Sequence, residues 1–316
     1  MAEANLLQDG CSIDWIPTAA ITAGQVIQLP DGRAAYAPTA IAAGVLGAVQ
    51  VEGIVQVTKT ASMVMPKGSR VYWDHSANAA SLLYGGDRDF YLGVVQDTAA
   101  SAATTVNVAI NVDQKYTVSL GDGFWSVPVS TAGWPHVIGH KEGVSMLFDV
   151  TAEAQKLDAL SNYGISPSAP ALVEALVCVN LNGDDAAFDF NVGLANASHA
   201  TDADSITESL FAHIDGASLN INAESDDGTT EVAATDTTVD FVVGTPFLVQ
   251  WVLDGTNDDI QMYINGVNVL PSSVFKLNNA TGPLKLLAHM EKTSNDSPGN
   301  VTVMRLGAIV TEERSS

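Results

Sequence analysis

Residues 106–112 read Val-Asn-Val-Ala-Ile-Asn-Val. An alternation with period two describes a strand with one face buried and the other wet. Similar short apolar runs recur upstream at 12–15, 26–29, 45–57, 71–73 and 90–95. Gly, Pro, Asp and Asn punctuate the stretches around them, as turn residues do between strands. No amphipathic pattern of ten or more residues occurs in 1–112, so this stretch is expected to be a small all-β domain.

Beyond Gly143 the runs lengthen. Ten qualify as strands: 144–150, 171–181, 187–194, 209–215, 218–224, 238–243, 247–253, 259–264, 284–291 and 301–311. Only 151–160 reads as a helix, opened by Thr151 and followed by Ala, Glu, Gln and Leu. Ten strands with one short helix predict an antiparallel sandwich. Between the two blocks, 113–139 is rich in Gly and Trp and is expected to be a linker running into the first strand of the next domain. The predicted division is therefore 1–112, 113–139 and 140–316.

Thirteen Lys and Arg face thirty-six Asp and Glu, a formal net charge of −23. Such a surface repels phosphate, which argues against nucleic acid and against an anionic membrane as partners. Two readings of the acidity are compatible: a solubility device, and an exposed shell that never touches a genome. Hydrophobic residues at 47% and charged residues at 16% describe a globular chain. The two cysteines, Cys11 and Cys178, lie far apart, so synthesis in a reducing cytoplasm without a structural disulfide is expected. The first ten residues carry neither a basic nor an apolar segment of a signal peptide. The apolar run at 40–51 is Gly-broken and too short to span a bilayer.

An ordered set of phrases runs through the first block. It comprises Gln8-Asp9-Gly10 with Ile13-Asp14 and Pro17, then Ala23-Gly24-Gln25-Val26, then Ile41-Ala42-Ala43-Gly44 through Gly47. Val51-Glu52-Gly53 and Lys59 follow, then Gly68 with Val71-Tyr72-Trp73-Asp74, Leu92-Gly93-Val94-Val95 and the strand at 106–112. In this order they resemble the capsid cement, or decoration, proteins of tailed phages over residues 5–112. The resemblance implies a β-barrel-like module on the outer capsid surface of a virion made in the host cytoplasm. There it would sit as a homotrimer at three-fold positions and clamp neighbouring copies of the major capsid protein. It also implies that an amino-terminal arm, here Ala2, Glu3, Ala4, Asn5, Leu6 and Leu7, contributes to the capsid contact; the alternative is a frayed terminus.

The second block resembles concanavalin-like and laminin-G-like jelly rolls, most clearly in the hairpin at 247–267, where Tyr263-Ile264-Asn265-Gly266 closes a strand on a tight turn. The expected fold class is thus all-β, a small barrel-like decoration domain followed by an antiparallel jelly-roll sandwich. Some jelly rolls of this kind hydrolyse glycans with acids gathered on one strand, and retaining hydrolysis needs two carboxylates a few Å apart. Here Glu174, Glu208, Glu224, Glu231 and Glu291 are scattered, so no enzyme is expected. The acid clusters Asp184-Asp185, Asp202 with Asp204, Asp226-Asp227 and Asp258-Asp259 lack a calcium-loop pattern and read as solvated turns. The histidines at 75, 136, 140, 199, 213 and 289 show no paired metal spacing; His136 and His140 are four apart, but Pro135 and Gly139 oppose the helix that would align them. No cofactor and no metal are expected. The functional expectation is a capsid decoration protein that stabilises the head, with recognition of host or environmental glycans by the jelly roll as the alternative.

Overall fold

Period-two patterning and frequent turns are realised as strands throughout. The computed structural model describes residues 11–86, 88–183 and 188–311. They contain twenty-four strands and two 3-10 turns, and every ladder between strands is antiparallel. The chain divides into two units, 1–114 and 115–316.

The first unit holds β1 Ser12–Trp15, β2 Val26–Gln28, β3 Ala34–Tyr36, β4 Gly47–Gln50, β5 Ile54–Thr58, β6 Arg70–Asp74, β7 Ala79–Ser81, β8 Phe90–Val95 and β9 Thr105–Ile110. They form a four-stranded sheet in the order β1-β4-β3-β2 and a five-stranded sheet in the order β5-β9-β8-β6-β7. The five-stranded sheet curls until its two edges meet at one parallel bridge, Lys59 to Ala80. Lys59 sits at that seam, buried, its Nζ donating to the carbonyls of Met63 at 2.6 Å and Thr60 at 3.2 Å. Ile21, Leu29, Ala35, Ile41, Val49 and Val51 build the core beside the smaller sheet, while Val71, Trp73, Leu92, Val106 and Val108 are buried in the larger one. The Val-Tyr-Trp phrase works by alternation: Val71 and Trp73 point inward, and Tyr72 packs edge-on against Tyr84 and Tyr91.

The second unit holds β10 Val118–Ser119, β11 Phe124–Trp125, β12 His136–Gly139, β13 Val144–Leu147, β14 Glu153–Ile165, β15 Pro170–Leu181, β16 Phe188–Ala195, β17 Glu208–Asp215, β18 Asn220–Asp227, β19 Glu231–Asp240, β20 Phe247–Asp254, β21 Gln261–Ile264, β22 Val267–Val269, β23 Leu284–Asn295 and β24 Asn300–Val310. One sheet runs β12-β13-β24-β15-β20-β21-β22 with β10 also on β24; the other runs β11-β14-β23-β16-β17-β18-β19. Their facing surfaces enclose one large core around Trp251, Phe188, Phe190, Met146 and Leu157. The expected hairpin is present: β20 pairs with β21, and β21 with β22 across Asn265-Gly266, both at positive φ as a two-residue turn requires.

Three expectations need correction. Residues 151–160 are not a helix: from Glu153 onward they belong to β14, which pairs with β23. Helix propensity differs by at most about 0.7 kcal/mol per ordinary residue, whereas burying Leu157 alone is worth about 1.5–3 kcal/mol. In the strand, Leu157 and Ala159 enter the core and Lys156 and Asp158 pair on the opposite face. The expected strand at 238–243 lies earlier, at 231–240. From residue 115 the presumed linker belongs to the second unit and supplies β10, β11 and β12. Tyr116 anchors that stretch: its ring lies against Gly307, where a Cβ would come within 2.4 Å of it, and its hydroxyl donates to Glu174 at 2.6 Å.

Candidate functional site

In strands with one apolar face, the alternate positions make a second face, and in the seven-stranded sheet that face is polar. Asp158, His289, Asn191, His213, Asn222 and Asp236 stand directly opposite one another across β14, β23, β16, β17, β18 and β19. The next row carries Lys156, Glu291, Asp189 and Asp215. The segment 196–207 crosses this face, seated on a small cluster of Ala195, Ala203, Ile206, Phe211 and Leu287, and its 3-10 turn Ala203–Ser205 delivers Asp204 to the polar rows.

The contacts are dense. His213 Nε2 lies 3.2 Å from Asp189 Oδ1, and its Nδ1 lies 3.6 Å from Asp204 Oδ1 and 3.5 Å from Glu224 Oε2. Asn191 Nδ2 donates to Asp204 Oδ1 at 3.0 Å and to Glu224 Oε1 at 2.7 Å. His289 Nε2 meets Glu291 Oε2 at 2.8 Å, and Lys156 pairs with Asp158 at 3.2 Å. Burial opposes a charge on His213, but the hydrogen bond to Asp189, with the nearby carboxylates of Glu224 and Asp204, outweighs it and raises its pKa to about 10. Burial, with the Lys156 charge, pushes His289 down to about 4. Burial again, with the charges of Asp202, Asp189 and Asp204, lifts Glu291 to about 8.

A recess of about 300 Å³ opens at the β14 side of the same face, lined by Trp125, Val127, Asp158, Leu160, Ser161, Asn162, Ser198 and Lys285. Trp125 is 69% exposed on its rim. Asp158 accepts from Val127 N at 2.8 Å and from Ser198 Oγ, fixing both flanks of the opening. A second exposed indole, Trp134, follows the turn 130–133, which wraps one carboxylate: Glu153 accepts from Ser130 Oγ and from the amides of Thr131, Ala132 and Gly133. The Ser130 hydrogen bond, with those amides, holds the Glu153 pKa near 2.

Residues 7–110 match the family model described as phage cement protein. The first unit carries a phage cement domain. No curated protein matches the chain. Among solved structures the chain is similar to the carbohydrate recognition domain of Emp47p, at 8% identity over 58% of this chain and 88% of that one, TM-score 0.41. It is similar to the carbohydrate-binding module CBM66 from Bacillus subtilis, at 10% identity over 58% and 94%, TM-score 0.36. It is also similar to alginate lyase AlgAT5 of polysaccharide lyase family 7, at 17% identity over 57% and 83%, TM-score 0.37. At these values no ligand or reaction transfers from them.

In the cement domain the quoted phrases hold turns, seam and core. The arm residues Ala2 to Leu7 lie outside the described residues, as do Gln8-Asp9-Gly10 and Asp184-Asp185. The described chain enters the domain through β1, an edge strand. At the end of β1 and β4, Ile16, Val45 and Leu46 stand 57%, 53% and 61% exposed, although all three are large and apolar.

Four of the five glutamates that look scattered in sequence fall into two kinds of setting. Glu174 is buried with Arg305, 3.1 Å away, and Glu208 accepts from Thr281. Asp202, Asp204, Glu224 and Glu291, with His213 and His289, converge on the polar face beside Asp189. Glu224 and Glu291 lie on strands three ladder steps apart, about 14 Å at the usual strand spacing, beyond the separation of a hydrolase pair. Asp226 and Asp227 order the turn after β18, and Asp258 accepts from Thr256 Oγ1 in another turn. The polar face escapes a motif search because its members come from six separate strands. Its local signal is the alternation Phe188-Asp189-Phe190-Asn191-Val192, where every second residue in a core strand is polar.

Proposed function

We propose that this protein decorates a phage head: the cement domain binds the outer surface of the capsid, contacts the major capsid protein, and stabilises the shell as a homotrimer at three-fold positions. The family match over residues 7–110 carries this reading. The apolar group Ile16, Val45 and Leu46 supports it, since a large exposed apolar cluster is what a partner surface covers. The arm, Ala2 to Leu7, leads into the edge strand β1 and would extend the contact by strand addition. The protein acts without catalysis in this reading, and its strong negative charge keeps it off the packaged genome.

The test adds the full chain to undecorated capsids and follows their melting and rupture. Raised stability, reduced in a Leu46→Asp variant and in a chain lacking residues 2–7, is the expected result. Capsids equally stable with and without the protein would sink the proposal.

A second reading concerns the sandwich unit, whose recess beside Trp125 joins an exposed indole to Asn162, Ser198 and Asp158. An aromatic face with neighbouring amide and hydroxyl groups is suited to a sugar ring. Selective glycan binding that Trp125→Ala abolishes is expected on an array. A blank array would leave reinforcement of the trimer as the role of this unit.

A further inference from the structure

We infer that Asp204, His213 and Glu224 form a binding site for a first-row divalent cation, zinc foremost, on the polar face of the sandwich unit. One ligand atom from each residue lies within 4.8 Å of the others. The separations from His213 Nδ1 to the two carboxylates, 3.5 and 3.6 Å, are long for hydrogen bonds. Ligands about 2.0–2.1 Å from a tetrahedral zinc stand about 3.3 Å apart, so these spacings are those an ion would bridge.

The imidazole is the independent observation. His213 is only 7% exposed, and its Nδ1 is buried with no hydrogen-bond partner among the described residues. It faces the gap between the two carboxylates. On the other side of the ring Asp189 Oδ1 stands 3.2 Å from Nε2. With Asp189 accepting the Nε2 proton, an ion would take the place of the proton on Nδ1, the arrangement by which metal-bound histidines are commonly oriented. Asn191, 1% exposed, donates from Nδ2 to both carboxylate ligands and so aligns them. One imidazole with two carboxylates favours zinc or a neighbouring first-row ion over calcium and magnesium, which prefer all-oxygen sets.

The three ligands come from the 3-10 turn and from β17 and β18, so an ion would bind the segment 196–207 to the sheet beneath it. The side chain of Asp204 is 49% exposed, which makes Asp204→Asn a variant that leaves the core alone. The test titrates zinc chloride into the chelator-treated full-length protein, with bound metal counted by mass spectrometry and melting followed by calorimetry. One zinc per chain, a raised melting temperature and no response to calcium are expected. Asp204→Asn should bind at least about 10-fold more weakly while keeping a cooperative melting transition in chelator. Asp189→Asn, a positioning variant, should weaken binding by about 10- to 100-fold. Absence of zinc binding by the parent, or binding that Asp204→Asn and His213→Gln leave unchanged, would overturn the site and leave an imidazolium held among acids.

Discussion

Asn111 joins the two sheets of the cement domain. Its Oδ1 accepts from Ala34 N at 2.9 Å, and its Nδ2 donates to the carbonyls of Ala34 and Val51 at 2.8 and 2.6 Å. Its backbone sits at φ 57°, where asparagine is among the best-tolerated side chains. Asn111→Ala loses all three bonds and is expected to cost about 1–3 kcal/mol in chemical denaturation. In the sandwich unit, Glu174 is fully buried and accepts from Arg305 Nε, Tyr116 Oη and Gln250 Nε2. Glu174→Ala leaves the Arg305 charge without its carboxylate and should cost about 3–5 kcal/mol. Glu174→Gln, which keeps the shape and an acceptor, should cost less, and a reversed order would refute this account.

At the scale of elements, the polar face gives the seven-stranded sheet a pH dependence of definite sign. Glu291 is raised from its ordinary 4.5 to about 8, so the folded state holds a proton that the unfolded chain releases earlier, and stability falls as pH rises between those values. His213, raised from 6.5 to about 10, contributes stability that is complete below 6.5 and disappears as pH rises through 10. His289 acts oppositely: lowered from 6.5 to about 4, it withdraws stability as pH falls through that window. The sandwich unit should therefore be most stable in mild acid and melt lower at pH 8 than at pH 6. Glu291→Gln removes the largest contribution in that interval, so its melting temperature should change less between pH 6 and 8. An unchanged slope would show that Glu291 ionises normally. None of this was legible in the alternating strands taken singly, because the charges acting on Glu291 belong to β16 and to the segment after it.

At the scale of the whole molecule, two units each have their own buried core, which predicts two thermal transitions in calorimetry. Asn111→Ala should lower one of them and Glu174→Ala the other. A single transition moved by both variants would show that the units unfold as one. This assignment also supports the capsid experiments, since a variant that weakens decoration can be checked for loss of the cement domain itself.

The sequence by itself determined what depends on neighbours along the chain: period-two strands, the turns between them, the Asn265-Gly266 hairpin, and the ordered phrases that identify the cement domain. It misread β14, whose residues favour a helix until Leu157 and Ala159 have a core to enter. Only the tertiary structure decided the polar face. Residues 158, 289, 191, 213 and 222 become neighbours through strand order and register, and register follows from how each strand buries its apolar alternates against the opposite sheet. The same packing that places Phe190, Ala212 and Ala288 inward turns Asn191, His213 and His289 outward, side by side.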